Sequence, residues 1–165
     1  MMPELIVKVG MADLNIIVEV GTTLKTTGLG SCVGVTLWDP KTKVAGMAHI
    51  MLPSSEIAKE GTLNVAKYAD TAIPALIERM IQAGAGKLRL EAKLAGGAQM
   101  FAFSGSSDTM RIGPRNVESC KAILSRAGIP VRAEDTGGNF GRTIEFYNQT
   151  GVLVLRTVQQ GAREI

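Results

Sequence analysis

The chain is poor in the residues that most often carry chemistry. Among 165 residues there is one histidine and there are two cysteines, one tryptophan, two tyrosines and four phenylalanines. One imidazole and two thiols are too few for a tetrahedral zinc site without carboxylates, and nothing in their spacing suggests one. Sparse aromatics and the lack of a Lys/Arg cluster between them remove the usual footprint of nucleic-acid binding. Eighteen basic against fifteen acidic side chains leave a net charge of +3, at most a modest preference for an acidic protein surface. No apolar run reaches the ~18 residues of a membrane span. Residues 1–10, broken by Glu4 and Lys8, lack the layout of a signal peptide. The default expectation is a cytoplasmic, reducing location in which both cysteines are free thiols. The length predicts one domain, residues 1–165, with a substantial core.

What is present is a glycine-rich turn that ends on a cysteine, Thr26-Thr27-Gly28-Leu29-Gly30-Ser31-Cys32, and opens the apolar run from Val33. Residues 4–9 and 14–20 read as strands rich in β-branched side chains, and a short extended piece leads from Gly21 into the turn. Val33 to Trp38 and Val44 to Leu52 read as a hairpin across Asp39-Pro40-Lys41-Thr42, with Pro53 ending the second strand. That turn is equally far from Cys32 and from His49. In a tight antiparallel pair the two therefore face each other, with Cβ atoms roughly 4.5–5.5 Å apart.

Residues 54–63 are expected to form a polar loop. A helix is predicted to start between Asn64 and Asp70 and run to Ala83, with Pro74 either in its first turn or at a kink. Leu88 to Leu94 alternates as a half-exposed strand, and Ala95 to Phe101 with Ser104 to Thr109 as a small-residue loop. Met110 to Ile112 reads as a brief strand and Pro114 to Ala127 as a second helix, with Gly128 past its end. Pro130 to Glu134 is a strand and Asp135 to Asn139 a turn. Arg142–Tyr147 and Val152–Val158 form a second hairpin, before a polar tail from Gln159.

Cys120, between Val117 and Ile123 on a helical stripe, is explained by core packing. Cys32 has two readings: a nucleophile beside backbone N–H groups able to hold an oxyanion, or a small core residue at a strand start. His49, among Met47, Ala48, Ile50 and Met51, is likewise either the base for that thiol or a satisfied core histidine. A base needs a third group to orient it, and Thr26 or Thr27 could serve. Gly28-Leu29-Gly30 is not a dinucleotide loop, since the next glycine is Gly34 and a strand follows. Asp135-Thr136-Gly137 matches the aspartic-protease triplet but has no second copy, so it reads as a turn. The loop tip at Met100 and Phe101 is either a contact surface or, for Phe101, part of the core.

Six motifs in order, Thr26–Cys32 (T-x-G-L-G-S-C), Ala48–Pro53 (A-H-x-M-L-P), Lys67–Ala72 (K-Y-A-D-T-A), Ala95–Phe101 (A-G-G-A-x-M-F), Ile112–Val117 (I-G-x-R-N-V) and Glu134–Asn139 (E-D-T-G-G-N), together resemble the CheD chemoreceptor glutamine deamidases. The resemblance implies an α+β fold of stacked mixed β-sheets covered by helices, similar to the catalytic domains of glutamine-deamidating toxins. It also implies a cytoplasmic protein-glutamine glutaminase that converts glutamines of methyl-accepting chemotaxis receptors to glutamate, without a cofactor. By the same resemblance Cys32 is the nucleophile, His49 the acid/base, Thr26 the third catalytic residue, and the phosphatase CheC a partner. Gly30 and Ser31 are expected to hold the oxyanion. Two alternatives remain: a non-catalytic regulator docking on CheC or receptors, and another cysteine acyl-transfer enzyme.

Overall fold

The computed structural model describes residues 5–57, 63–100 and 111–165. Two five-stranded mixed sheets form its frame. β1 (Leu5–Lys8), β3 (Thr22–Leu29), β8 (Arg142–Tyr147), β9 (Val152–Thr157) and β10 (Gly161–Glu164) lie side by side in that order. β2 (Leu14–Ile17), β5 (Ala45–Ile50), β4 (Val33–Trp38), β6 (Glu91–Gly96) and β7 (Val131–Thr136) make the second sheet. Each sheet has one parallel pair, β1 with β3 and β6 with β7, among antiparallel neighbours. α1 (Ala69–Gln82) and α2 (Ile112–Arg126) pack on the second sheet. The expected class, stacked mixed β-sheets covered by helices, is what the chain adopts.

The β4–β5 hairpin separates the two halves of the core, because successive side chains point to opposite faces. Val33, Val35 and Leu37 of β4 with Ala48 and Ile50 of β5 pack under the helices. Ala45 and Met47 of β5 join Leu24, Leu29, Cys32, Ala95, Ile144 and Phe146 between the sheets. At Gly34 the two sheets approach closely: a Cβ there would stand 2.6 Å from Ile144 Cδ1 and 3.2 Å from Leu29 Cδ1.

Several elements differ from the sequence expectation, each for a visible reason. The hairpin turn is longer than predicted. The Asp39 carboxylate accepts from the N–H groups of Lys41 and Thr42, and Lys43 turns with φ 67° before Val44 pairs back to Asp39. Trp38 therefore pairs with Ala45, and Gly34 rather than Cys32 stands opposite His49. The piece before the glycine turn is an eight-residue strand, β3, hidden by its threonines, with a register break between Thr26 and Leu29. Lys87–Arg89 is a short 3-10 turn with Leu88 wholly exposed, so the strand starts at Glu91. Arg89 paired to buried Asp39, and Gly86 N–H bound to the same carboxylate, hold that turn. The polar tail contains the exposed edge strand β10. Asp135 and Thr136 end β7, and the turn begins at Gly137.

α1 is preceded by a 3-10 turn, Val65–Lys67, and Pro74 is its sixth residue, just past the first turn. α2 opens at Ile112, so the brief strand expected there is not formed at that residue. The expectations for 1–4, 58–62 and 101–110, including the loop tip at Phe101, lie outside the described residues. Among the described residues no helix is long and apolar enough to cross a membrane.

Candidate active site

The site lies at the open end of the β4–β5 hairpin, between the sheets. Met47 faces the opposing sheet and Ala48 and Ile50 face the helices, so His49 points toward β3. There it meets Thr26: the hydroxyl oxygen lies 2.7 Å from His49 Nδ1 and 2.7 Å from the Val9 carbonyl oxygen. A threonine hydroxyl has one proton. Donated to the Val9 carbonyl, it leaves Oγ1 to accept from Nδ1–H. His49 is thereby held as the Nδ1–H tautomer, with the lone pair on Nε2. Nε2 is buried and has no hydrogen-bond partner among the described residues. Of the two threonines left open by the residues alone, Thr26 is the one that contacts the ring.

Cys32 belongs to the same inter-sheet cluster and is 8% exposed, whereas His49 is fully buried. Strand parity agrees: Gly34 opposes His49, and Cys32, two residues before Gly34, shares its side of the sheet. Cys32 is thus offset by two residues from the position directly opposite His49, with the face preserved. Burial pushes the Cys32 thiol above its ordinary pKa, opposed in part by its own backbone N–H. Burial pushes His49 below its ordinary value. Near neutral pH both shifts favour an uncharged thiol and an uncharged imidazole over a resting ion pair. Cys120 is wholly buried in the helix-side core, its thiol pushed up to about 12 by desolvation, as a packing residue should be.

The turn before Cys32 is held through its carbonyls. Gly30 and Cys32 accept from Ala98 and Gly97 N–H, each at 2.9 Å, and Ser31 accepts from Asn116 Nδ2 at 2.9 Å. The Gly30 N–H donates to the Gly28 carbonyl at 3.1 Å, which removes it from the pair expected to hold an oxyanion. Among the described residues no carbonyl takes the N–H of Ser31 or Cys32.

The remaining motifs serve this clamp. A Cβ on Gly96 would sit 2.2 Å from the Cys32 carbonyl oxygen, and one on Gly97 would sit 2.2 Å from Val117 Cγ2, so neither position has room for a side chain. Gly113 lets α2 approach Ala98 in the same way. Gln99 N–H bonds the Gly138 carbonyl at 2.9 Å, and Asp135 pairs with buried Arg142 at 2.9 Å and with Arg163 at 2.8 Å. Asp135 is thus an ion-pair anchor, consistent with rejecting an aspartic-protease site. After His49, Met51 and Leu52 donate to the Lys67 carbonyl, and Ser55 binds Asp70. A cleft of about 380 Å³ opens beside the turn, its lining including Gly28, Met100, Phe140 and Arg156 but neither Cys32 nor His49. Among the described residues no group of three or more His, Cys, Asp or Glu side chains could hold a metal ion. Asn116 is the residue that sequence reasoning passed over. Its only signal there was membership of the Ile112–Val117 motif.

Stacked mixed sheets, with a buried thiol and a tautomer-fixed imidazole on one face between them, define an α+β protein with a candidate cysteine–histidine site. The chain matches the family described as CheD chemotactic sensory transduction over residues 51–157, a span that starts just after His49. Relatives extend the likeness over the rest. The chemoreceptor glutamine deamidase CheD of Halalkalibacterium halodurans is 56% identical over 160 residues, covering 97% of this chain and 98% of the relative. The protein of the same name from Bacillus subtilis is 50% identical over 160 residues, covering 97% and 96%. The chain belongs to the CheD family. A crystal structure of a Neisseria meningitidis protein of family DUF152 shares the fold, with a TM-score of 0.50 at 10% identity over 82% of this chain and 65% of that one.

Proposed function

We propose that this chain deamidates glutamine side chains of methyl-accepting chemotaxis receptors, with Cys32 as nucleophile and His49 as acid and base. Family membership supplies the substrate class. The observation that carries the mechanism is the Thr26–His49 hydrogen bond at 2.7 Å, which leaves a lone pair on Nε2, on the Cys32 side of the sheet. The wider reading of the chain as one deamidase unit over 1–165, acting in the cytoplasm, goes with this proposal.

Cys32 gives its proton to His49 Nε2 as its sulfur bonds to the glutamine carboxamide carbon. The carbonyl π bond becomes an oxyanion, which the Ser31 and Cys32 N–H groups receive. The imidazolium passes the proton to the amide nitrogen, the C–N bond breaks, and ammonia leaves a thioester. Water then attacks the thioester carbon, its proton going to Nε2. The C–S bond breaks, the sulfur recovers a proton, and glutamate departs. Thr26 touches none of the reacting atoms; it orients the ring and stabilises the transient imidazolium. No step calls for a cofactor.

Mass spectrometry of a receptor cytoplasmic fragment incubated with the chain tests this. Replacing NH₂ by OH adds about one mass unit per glutamine, and a tetrahedral acyl-transfer path ending in water predicts that shift with an intact backbone. Cleavage of the fragment would identify a protease instead. An unchanged fragment that binds the chain would identify the non-catalytic regulator. CheC, implied as a partner by the family resemblance, is part of the same proposal. It is tested by whether its addition slows deamidation.

A further inference from the structure

We infer that Asn116 is a positioning residue that holds nucleophile and base in register, an inference that rests on the reading of Cys32 and His49 above. The β4–β5 ladder ends at Val33 opposite Ile50. Beyond that rung the two strands turn to different partners: the Cys32 carbonyl takes the Gly97 N–H, and the Met51 N–H goes to the Lys67 carbonyl. The hairpin thus splits where the thiol-bearing residue begins.

Asn116, fully buried on α2, crosses the split. Its Nδ2 donates to the Ser31 carbonyl at 2.9 Å and to the Met51 carbonyl at 2.9 Å. One acceptor immediately precedes Cys32 and the other lies two residues after His49. Both amide protons are used, so the carboxamide orientation is set, and its Oδ1 is buried without a partner among the described residues. A core position chosen for packing alone would not bury an amide with an unmet acceptor. The bond to Ser31 also fixes the peptide plane between Ser31 and Cys32, whose N–H is one of the two oxyanion donors. Asn116 touches no reacting atom; it acts through the backbone on both sides of the split.

The test compares wild type with Asn116→Ala, Asn116→Ser and the control Ser119→Ala. Ser119 lies three residues further along α2 and bonds the Pro53 carbonyl at 2.8 Å, stabilising the same segment away from Cys32. Deamidation of a receptor fragment is measured per folded molecule, together with the pH profile of Cys32 alkylation. The expected result is a kcat at least tenfold lower in Asn116→Ala with KM within twofold, a smaller loss in Asn116→Ser, and an alkylation profile displaced from wild type. Ser119→Ala should lower thermal stability and leave kcat and the profile unchanged. The inference is overturned if Asn116→Ala keeps kcat within twofold, if the profile does not move, or if both Asn116 variants fail to fold, which would make the residue a structural support. A wild type without deamidase activity would instead refute the assignment of Cys32 and His49, because every comparison here starts from that activity.

Discussion

Replacing Thr26 by valine isolates the step that links fold to chemistry. The two side chains are close in size, so the inter-sheet packing stays filled while the hydroxyl is lost. Two buried groups lose their partner: the Val9 carbonyl oxygen and the His49 Nδ1–H, each 2.7 Å from Thr26 Oγ1. An unmet buried polar group costs about 1–3 kcal/mol, so the fold should weaken by about 2–6 kcal/mol. The catalytic effect is separable. In the transition state His49 carries a proton, and a hydrogen bond to a charged group is worth about 1.5–3 kcal/mol. At about 1.36 kcal/mol per tenfold, its loss lowers kcat by about 10- to 150-fold. KM should hold, since Thr26 is 2% exposed and cannot reach substrate. Thr26→Ser keeps the oxygen and should retain most of kcat. The assay is deamidation of a receptor fragment per folded molecule, with unfolding followed in urea. A Thr26→Val protein with kcat within twofold of wild type, or a Thr26→Ser protein as impaired as Thr26→Val, would refute the reasoning.

Other consequences follow from the same geometry. Because His49 is the only histidine and its folded-state pKa is depressed by burial, the unfolded chain takes up the proton first as pH falls below about 6.5. The stability of the neutral form is thus present above that pH and is lost as pH falls through the lower folded value. Urea midpoints at pH 7.5 and 5.5 should separate by more in wild type than in His49→Gln; equal separations would contradict it. A small alkylating reagent should label Cys32 well before Cys120, at a rate that climbs with pH past neutrality. A rate already level at pH 5 would reveal a preformed thiolate–imidazolium pair. Gly34→Ala puts a methyl group 2.6 Å from Ile144 Cδ1 and should cost about 1–3 kcal/mol as overpacking does, with partial relief from Ile144→Val. Denaturant titration checks it, and an unchanged midpoint would argue against close apposition of the sheets.

The sequence carried much of this architecture, and its failures are instructive. Alternation located β4 and β5, and helical spacing located α1, α2 and the packing role of Cys120. The hairpin arithmetic brought Cys32 to His49 on the correct face but in the wrong register. A turn stabilised by a buried aspartate and a left-handed lysine adds two residues that propensity does not foresee, and an even slip keeps side chains on their faces. β3 was obscured because Thr22–Leu29 is held by partners on both sides rather than by its own apolar alternation. Leu88 was misplaced because an ion pair to Asp39, distant in sequence, sets its turn. Beyond its place in the Ile112–Val117 motif, nothing in the chain marks the role of Asn116. Its role depends on two carbonyls more than sixty residues away in sequence, brought together by α2 docking on the hairpin.

The most direct measurement of the central claim is ammonia release from a receptor fragment by wild type and by Cys32→Ala, with folding of both established by circular dichroism. Wild type should release ammonia and the variant none, with Cys120→Ala retaining most of the wild-type rate. Release by folded Cys32→Ala at the wild-type rate would contradict the claim.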